Sequence, residues 1–442
     1  MNEHLEQKAR DYIETHLMES KKSAFHIQDR LLHSELNAGH NNVTRTLHVP
    51  KFFSQEDKAR FEQIVATLMP IFYKTIEAFR QDPAVRQLFP FDRRLEQLIL
   101  LPPDQAYPIP ICRIDIFYDE KTGDFKFCEF NTDGTSAMNE NFRLTEFLDA
   151  SNVMAALDPD VEVMELMESW IDALLEVYRS SRLYEKTGRK QPAIVITDFL
   201  DKAYISEFYQ FEKRMRRRGL TAEVADIRDL AYENGRLIHK KTGTAFDLVY
   251  RRAVTRDIME DFDHVQPFVQ AIKDGSVVCA GPLSTQIVHH KAITRALTNP
   301  VLTQYFTPEE NAFLKAHMPE TLVLNEENAL QALADKDRWI LKPDDSYASK
   351  GVYCGLDLKP DQWKRVISEC TGRGYLMQEY VQPYQSPNID LINFDEFRDY
   401  TNMTGLYVYN GQFAGVYSRL SDSHVISTQY NEKAIPTLFV KE

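Results

Sequence analysis

The stretch CRIDIFYDEKTGDFKFCEFNTDGTS, residues 112–136, limits what this chain can fold into more than any other segment. Polar and apolar residues alternate on both sides of Lys121-Thr122-Gly123, and side chains alternate faces along a strand. Arg113 and Asp115 therefore share one face, as do Glu129 and Asn131. The three residues between the strands read as a hairpin loop with glycine at its left-handed position. Pairing Glu120 with Asp124 sets Asp115 opposite Glu129 and Arg113 opposite Asn131. One arginine, two carboxylates and one amide then converge on a single patch. Oxygen ligands of this kind suit Mg²⁺, which takes a few carboxylates together with phosphate oxygens and water. An arginine beside them suits a phosphate. A cross-strand ladder of salt bridges accounts for the same four residues without any ligand.

The rest of the composition sets outer limits. A chain of 442 residues has room for two to four domains, at about 100–200 residues each. Its 26 Phe and 21 Tyr can build large cores. A net charge of −14 argues against a general nucleic-acid binder and against an anionic-membrane binder. No apolar run approaches the roughly 20 residues needed to span a bilayer. The opening MNEHLEQKARDYIETHL lacks the apolar core of a signal peptide. The five cysteines are scattered and form no C-x-x-C pair. That fits a reducing cytoplasm and argues against a disulfide framework or a zinc site. A soluble, cytoplasmic protein is expected.

Along the chain, residues 1–105 are expected to be a helical N-terminal region. In it Ser54 reads as an N-cap with Asp57 at the third helical position. Residues 106–185 carry the hairpin and then helices, including one over VEVMELMESWIDALLEVYRSS. Residues 186–288 alternate strand and helix: PAIVITDF, then ISEFYQFEKRMRRRGL, TAEVADI and FDLVYRR. That rhythm predicts a small α/β domain with a parallel sheet. The basic cluster at 213–218 reads as a solvated helix face. Residues 289–442 read as a mixed α+β unit with a hairpin turn at Asn410-Gly411, and a further hairpin turn is predicted at Asn234-Gly235 in the preceding α/β region.

Several signatures are missing. The chain has no G-x-x-x-x-G-K-[ST], G-x-G-x-x-G, H-E-x-x-H or G-x-S-x-G. This argues against a P-loop NTPase, a simple Rossmann dehydrogenase, a zincin and an α/β-hydrolase. None of the twelve histidines has a metal-ligand spacing. The positive signal lies in WILKPDDSYASKGV and GYLMQEYVQ. Lys342 ends an apolar strand and can reach phosphate oxygens as a point charge. A loop of small residues with Lys350 can close over them. Gln378 and Glu379 stand where a strand runs into a connection, an arrangement that can read an adenine edge. A buried Lys–Glu pair between neighbouring strands is the structural alternative.

These motifs resemble those of the ATP-grasp superfamily, with one departure in order. The superfamily's acidic residue and E-x-N follow the adenine hinge, whereas here R-I-D and E-F-N lie more than 200 residues before it. That order resembles the circularly permuted ATP-grasp group that includes glutathionylspermidine synthase. The resemblance covers about residues 105–440. It implies an ATP-grasp fold with a small pre-ATP-grasp parallel-sheet domain at 186–288 and nucleotide-binding lobes at 289–442. It also implies ATP as substrate with one or two Mg²⁺ ions held by Asp115, Glu129 and Asn131. Arg113 would stabilise the transferring phosphoryl group, and Lys291 and Lys342 would bind phosphates. Lys350 with Gly351 would form the closing loop, and Gln378, Glu379, Tyr380 and Val381 the adenine hinge. Ser136 would contact substrate. Arg252 and Arg419 would meet an anionic substrate or phosphate, or else be paired structurally. Two further departures are His289-His290 before Lys291 and the glycine-poor loop carrying Ser346, Ala348 and Ser349. The activity implied is an ADP-forming ligation of a small carboxylate to an amine. A phosphotransferase and a non-catalytic nucleotide-binding protein on the same fold are the alternatives.

Overall fold

The alternation of the hairpin builds the centre of the molecule. Strands Ile111–Tyr118 and Phe125–Asn131 pair antiparallel. Cys112, Ile114 and Ile116 point to one face and pack on the long helix Gln55–Gln81, where Phe72 meets Phe130 edge to face at 4.8 Å. The opposite face carries Arg113 and Asp115. That helix begins as expected, with a capping box between Ser54 and Asp57. In this computed structural model, residues 2–37, 44–345, 350–426 and 431–441 are described.

The hairpin does not stand alone. Ile111–Tyr118 also pairs antiparallel with Arg398–Tyr409, which pairs in turn with Gln412–Ser421 and then Lys433–Ile435. Gln385–Asn388 adds a further strand to Arg398–Tyr409, completing a six-stranded sheet. Residues 106–131 and the last part of the chain thus share one sheet. The chain's extremities also meet, because Lys51–Phe53 runs parallel to Thr437–Val440, flanked by Val161–Glu162.

The alternating middle region forms a four-stranded parallel sheet, in the order Val278–Ala280, Leu248–Arg251, Ile194–Asp198, Ala222–Asp226. Its strand order reverses between Ile194–Asp198 and Leu248–Arg251, and a switch of this kind opens a crevice at the carboxyl ends. Asp198, Arg251 and Arg252 stand at those ends. A separate antiparallel lobe joins Thr321–Val323, Tyr375–Glu379, Trp339–Pro343 and Tyr353–Cys354. Its core is Trp339, Leu341, Trp363 and Met377.

Three expectations are corrected. The helix predicted from Val161 begins only at Glu168. The β-branched start pairs as Val161–Glu162, and the Glu165 carboxylate accepts the backbone N–H groups of Met167, Glu168 and Ser169. The basic cluster is not simply solvated, because Arg214 and Arg218 pair with Glu168, and Arg218 also with Asp172. The predominantly helical N-terminal region also contributes the Lys51–Phe53 strand. Both predicted two-residue turns form, with positive φ at Asn234, Gly235, Asn410 and Gly411. The five cysteines are buried and free.

Candidate active site

The register of the hairpin places Arg113 opposite Asn131 and Asp115 opposite Glu129, as the alternation requires. The turn reaches that register by another route. Asp119, not Glu120, closes it by bonding with Asp124, which makes the loop one residue longer. A bulge at Cys128 absorbs the extra residue and restores the pairing. Gly123 takes φ +75, the left-handed position expected of it.

Asp115 is fully buried, and both of its oxygens are engaged. Arg113 grips it bidentately, Nε to Oδ1 at 2.7 Å and Nη2 to Oδ2 at 3.1 Å. Asn131 Nδ2 donates to Oδ2 at 2.8 Å, and Arg419 pairs with the same oxygen. Burial alone would raise the carboxyl's pKa. The two guanidinium groups outweigh it and hold Asp115 down at about 2. Opposite Asp115 stands Gly405, where a Cβ would come within 2.7 Å of Arg113 Cδ and 2.8 Å of Asp115 Oδ1. Only a glycine leaves room for this pair.

Beside the network lies a cavity of about 50 Å³. Glu129 and Asn131 line it from the hairpin, Lys342 and Gln378 from the antiparallel lobe, and His289 and Lys291 from the segment between. Lys342 Nζ donates to Gln378 Oε1 at 2.8 Å, and Gln378 Nε2 donates to Thr321 Oγ1 at 3.0 Å. Burial lowers the pKa of Lys291, and Lys342 nearby lowers it further, while Glu129 opposes both. The donor chemistry fits Mg²⁺ with phosphate. Asn131 commits its N–H₂ to Asp115 and, at 3.3 Å, to Glu129. Its carbonyl oxygen and the Glu129 carboxylate then remain as hard oxygen ligands. Asp115 Oδ2 already meets three donors, whereas Oδ1 meets Arg113 Nε.

Other predicted residues lie elsewhere. Arg252 is buried against Glu207 at 2.7 Å, with its guanidinium over Phe208 and Tyr250. Arg419 pairs with Asp115 and, at 3.6 Å, with Glu432. Both arginines therefore take the structural pairing weighed for them. Ser136 is exposed, and its carbonyl accepts from Arg113 at 3.3 Å and from Tyr407 at 2.8 Å. Glu379 and Tyr380 are tied through their backbone N–H groups to Glu320 and Arg338, outside the cavity lining, as is Val381. Lys350 is exposed and does not line the cavity. Gly351 takes φ +72 against Pro343 and Tyr375. Ser346, Ala348 and Ser349 lie outside the described residues.

The sequence reading missed His289, Thr294 and Thr321 in the cavity wall. His289 Nδ1 is buried with no hydrogen-bond partner among the described residues, and burial lowers the ring's pKa. Its place in the His289-His290-Lys291 run was the available signal. Thr321 carried none, because it enters through strand pairing with Gln378.

No protein-family model and no curated protein sequence matches the chain. Its architecture does match solved structures. A glutathione synthetase-like effector from Globodera pallida, in its apo form, aligns with a TM-score of 0.61 at 11% identity, covering 95% of this chain and 97% of that one. A putative gamma-glutamylcysteine synthetase from Methylobacillus flagellatus aligns at 0.45 and 11% identity, covering 84% and 88%. The ATP-grasp ligase PsnB with its minimal precursor aligns at 0.28 and 13% identity, covering 56% and 90%. The chain shares the mixed α+β fold of the glutathione synthetase-like effector.

Proposed function

We infer that the chain is an ATP- and Mg²⁺-dependent ligase that joins a small carboxylate to an amine through an acyl phosphate, on a circularly permuted ATP-grasp frame. One observation carries this reading. Glu129 and Asn131, from the first third of the chain, line the same cavity as Lys291, Lys342 and Gln378, which follow at least 160 residues later. Carboxylate, amide and ammonium groups from distant segments converge there, as a metal–phosphate ligand requires.

An amide cannot form until a carboxylate oxygen becomes a leaving group. Transfer of the γ-phosphoryl group of ATP to the carboxylate gives an acyl phosphate and ADP. Attack of the amine on the acyl carbon then expels phosphate, and the amine loses a proton. The first step asks the protein for in-line positioning and charge neutralisation. Glu129 and Asn131 would hold Mg²⁺, which when bound would supply positive charge against the phosphate oxygens. Arg113 and Arg419 keep Asp115 ionised and fix Asn131 in turn, so their part in metal binding runs through Asp115. Lys342 and Lys291 add positive charge on the opposite wall. Ser136, exposed next to the Arg113 guanidinium, is the substrate-side hydroxyl of this reading.

The test is ADP release from ATP and Mg²⁺ over a panel of carboxylic acids, with and without amines. At least one acid–amine pair should give release that depends on both. Glu129→Ala and Asn131→Ala should each cut that release about a hundredfold while leaving the protein folded. Lys342→Ala should weaken nucleotide binding itself. A stable phosphorylated acid formed without amine would make the protein a phosphotransferase. Nucleotide binding without turnover on the whole panel would make it non-catalytic.

A further inference from the structure

Three of the ten large hydrophobic side chains exposed among the described residues lie on one helix. Met18, Phe25 and Leu32 stand seven residues apart on Leu17–Leu32, with 69%, 51% and 47% of their surface in solvent. Seven residues is close to two helical turns, so the three share one stripe. The opposite side of the helix, carrying Ser20, Ala24, Ile27 and Leu31, is the one buried against the body. Lys22 and Asp29, both exposed, complete the stripe. Its order is then Met, Lys, Phe, Asp, Leu, at spacings of four, three, four and three. That is the spacing of a seam that packs on another helix.

The charges decide which helix fits. Lys22 has no ion pair among the described residues. Asp29 meets His33 one turn on, at 3.3 Å, and both remain well exposed. The stripe is nearly symmetric about Phe25 in all but the sign of its charges. Met18 lies seven residues before it and Leu32 seven after, Lys22 three before and Asp29 four after. A second copy laid antiparallel across a two-fold axis at Phe25 therefore sets Met18 against the partner's Leu32. Lys22 comes within one residue of facing the partner's Asp29, and the axis repeats the pair on its other side. A parallel copy sets Lys22 on Lys22 and Asp29 on Asp29, which repel.

We propose that this face holds a second copy of the chain, in an antiparallel two-fold dimer centred on Phe25. The contact runs about 21 Å along each helix, from Met18 to Leu32. With three hydrophobic side chains from each subunit, it belongs at the small end of interfaces, below roughly 1,200 Å² in total. The dimer is accordingly weak and forms as concentration rises. The inference stands apart from the ligase reading, because the candidate active-site cavity takes no residue from this helix.

Sedimentation equilibrium on the full chain, from about 1 μM to about 1 mM, measures the association. The weight-average mass should rise with concentration toward twice the monomer value. Phe25→Glu should leave the protein monomeric over the whole range. Lys22→Asp and Asp29→Lys should each weaken association about tenfold, because the two-fold axis makes every substitution act twice. The double variant Lys22→Asp with Asp29→Lys should recover it. The three positions are exposed, so the variants keep the fold, and circular dichroism checks this. Monomers at every concentration overturn the proposal, as does a dimer that survives Phe25→Glu or a double variant no stronger than the singles. Binding of a monomer to phosphatidylcholine vesicles, lost in Phe25→Glu, would assign the face to a lipid surface and equally overturn it.

Discussion

Asp115 is the residue where sequence logic and three-dimensional chemistry part most clearly. Alternation fixed its neighbours, so the meeting of Arg113, Asp115, Glu129 and Asn131 was legible. Nothing local told that Arg419, about 300 positions later, would claim the same carboxylate. Arg252 repeats the lesson, because the Glu207 that neutralises it lies on a helix with no pattern linking the two. A further, partly buried acid shares this neighbourhood. Burial first, then the charge of Glu432, raises the Glu140 carboxyl from its ordinary 4.5 to about 7. Between those values the folded protein holds a proton that the unfolded chain has released, so stability falls as pH rises through this window. Glu140→Gln should flatten that slope and stabilise the protein by about 1–2 kcal/mol at pH 8. Thermal melts from pH 5 to 9 check this, and an unchanged slope would exclude Glu140 as its source.

Elements were legible where their punctuation is chemical. Ser54 with Asp57, the two Asn-Gly turns and Gly123 each mark a boundary through a backbone requirement. The hairpin register came out right although the turn was misread, because the longer loop and the Cys128 bulge offset each other. A bulge of this kind leaves no mark in alternation once it has cancelled. The loop that follows the hairpin was invisible as an anchor. Asp133 pairs there with Arg251, both side chains fully buried, and accepts the Thr255 N–H at 2.6 Å. This ties the hairpin to the carboxyl edge of the parallel sheet. Removing one partner of a buried pair strands the other's charge, at a cost of about 3–5 kcal/mol. Asp133→Ala should lower stability by that order in urea melts. The double variant Asp133→Leu with Arg251→Met should recover much of the loss, and equal loss in both would show that the stranded charge is not the cause.

At the scale of the whole molecule, the parallel sheet followed from the sequence rhythm, but its strand order and the joining of distant segments did not. No periodicity links residues 111–118 to residues 398–409. The assembly leaves, between the hairpin and the antiparallel lobe, a cavity of only about 50 Å³, far below the roughly 300 Å³ at which ligand sites begin. If ATP enters there, the lobe built on Trp339–Pro343 and Tyr375–Glu379 has to swing away from the hairpin. A non-hydrolysable ATP analogue with Mg²⁺ should therefore change the radius of gyration in solution scattering. An identical profile with saturating analogue would rule out lobe motion as the entry route. The shared six-stranded sheet also carries a consequence for biosynthesis. During translation the edge of Ile111–Tyr118 leaves the ribosome long before Arg398–Tyr409 exists to cover it. The nascent chain must keep that ribbon from pairing with strangers until almost 300 further residues have been added.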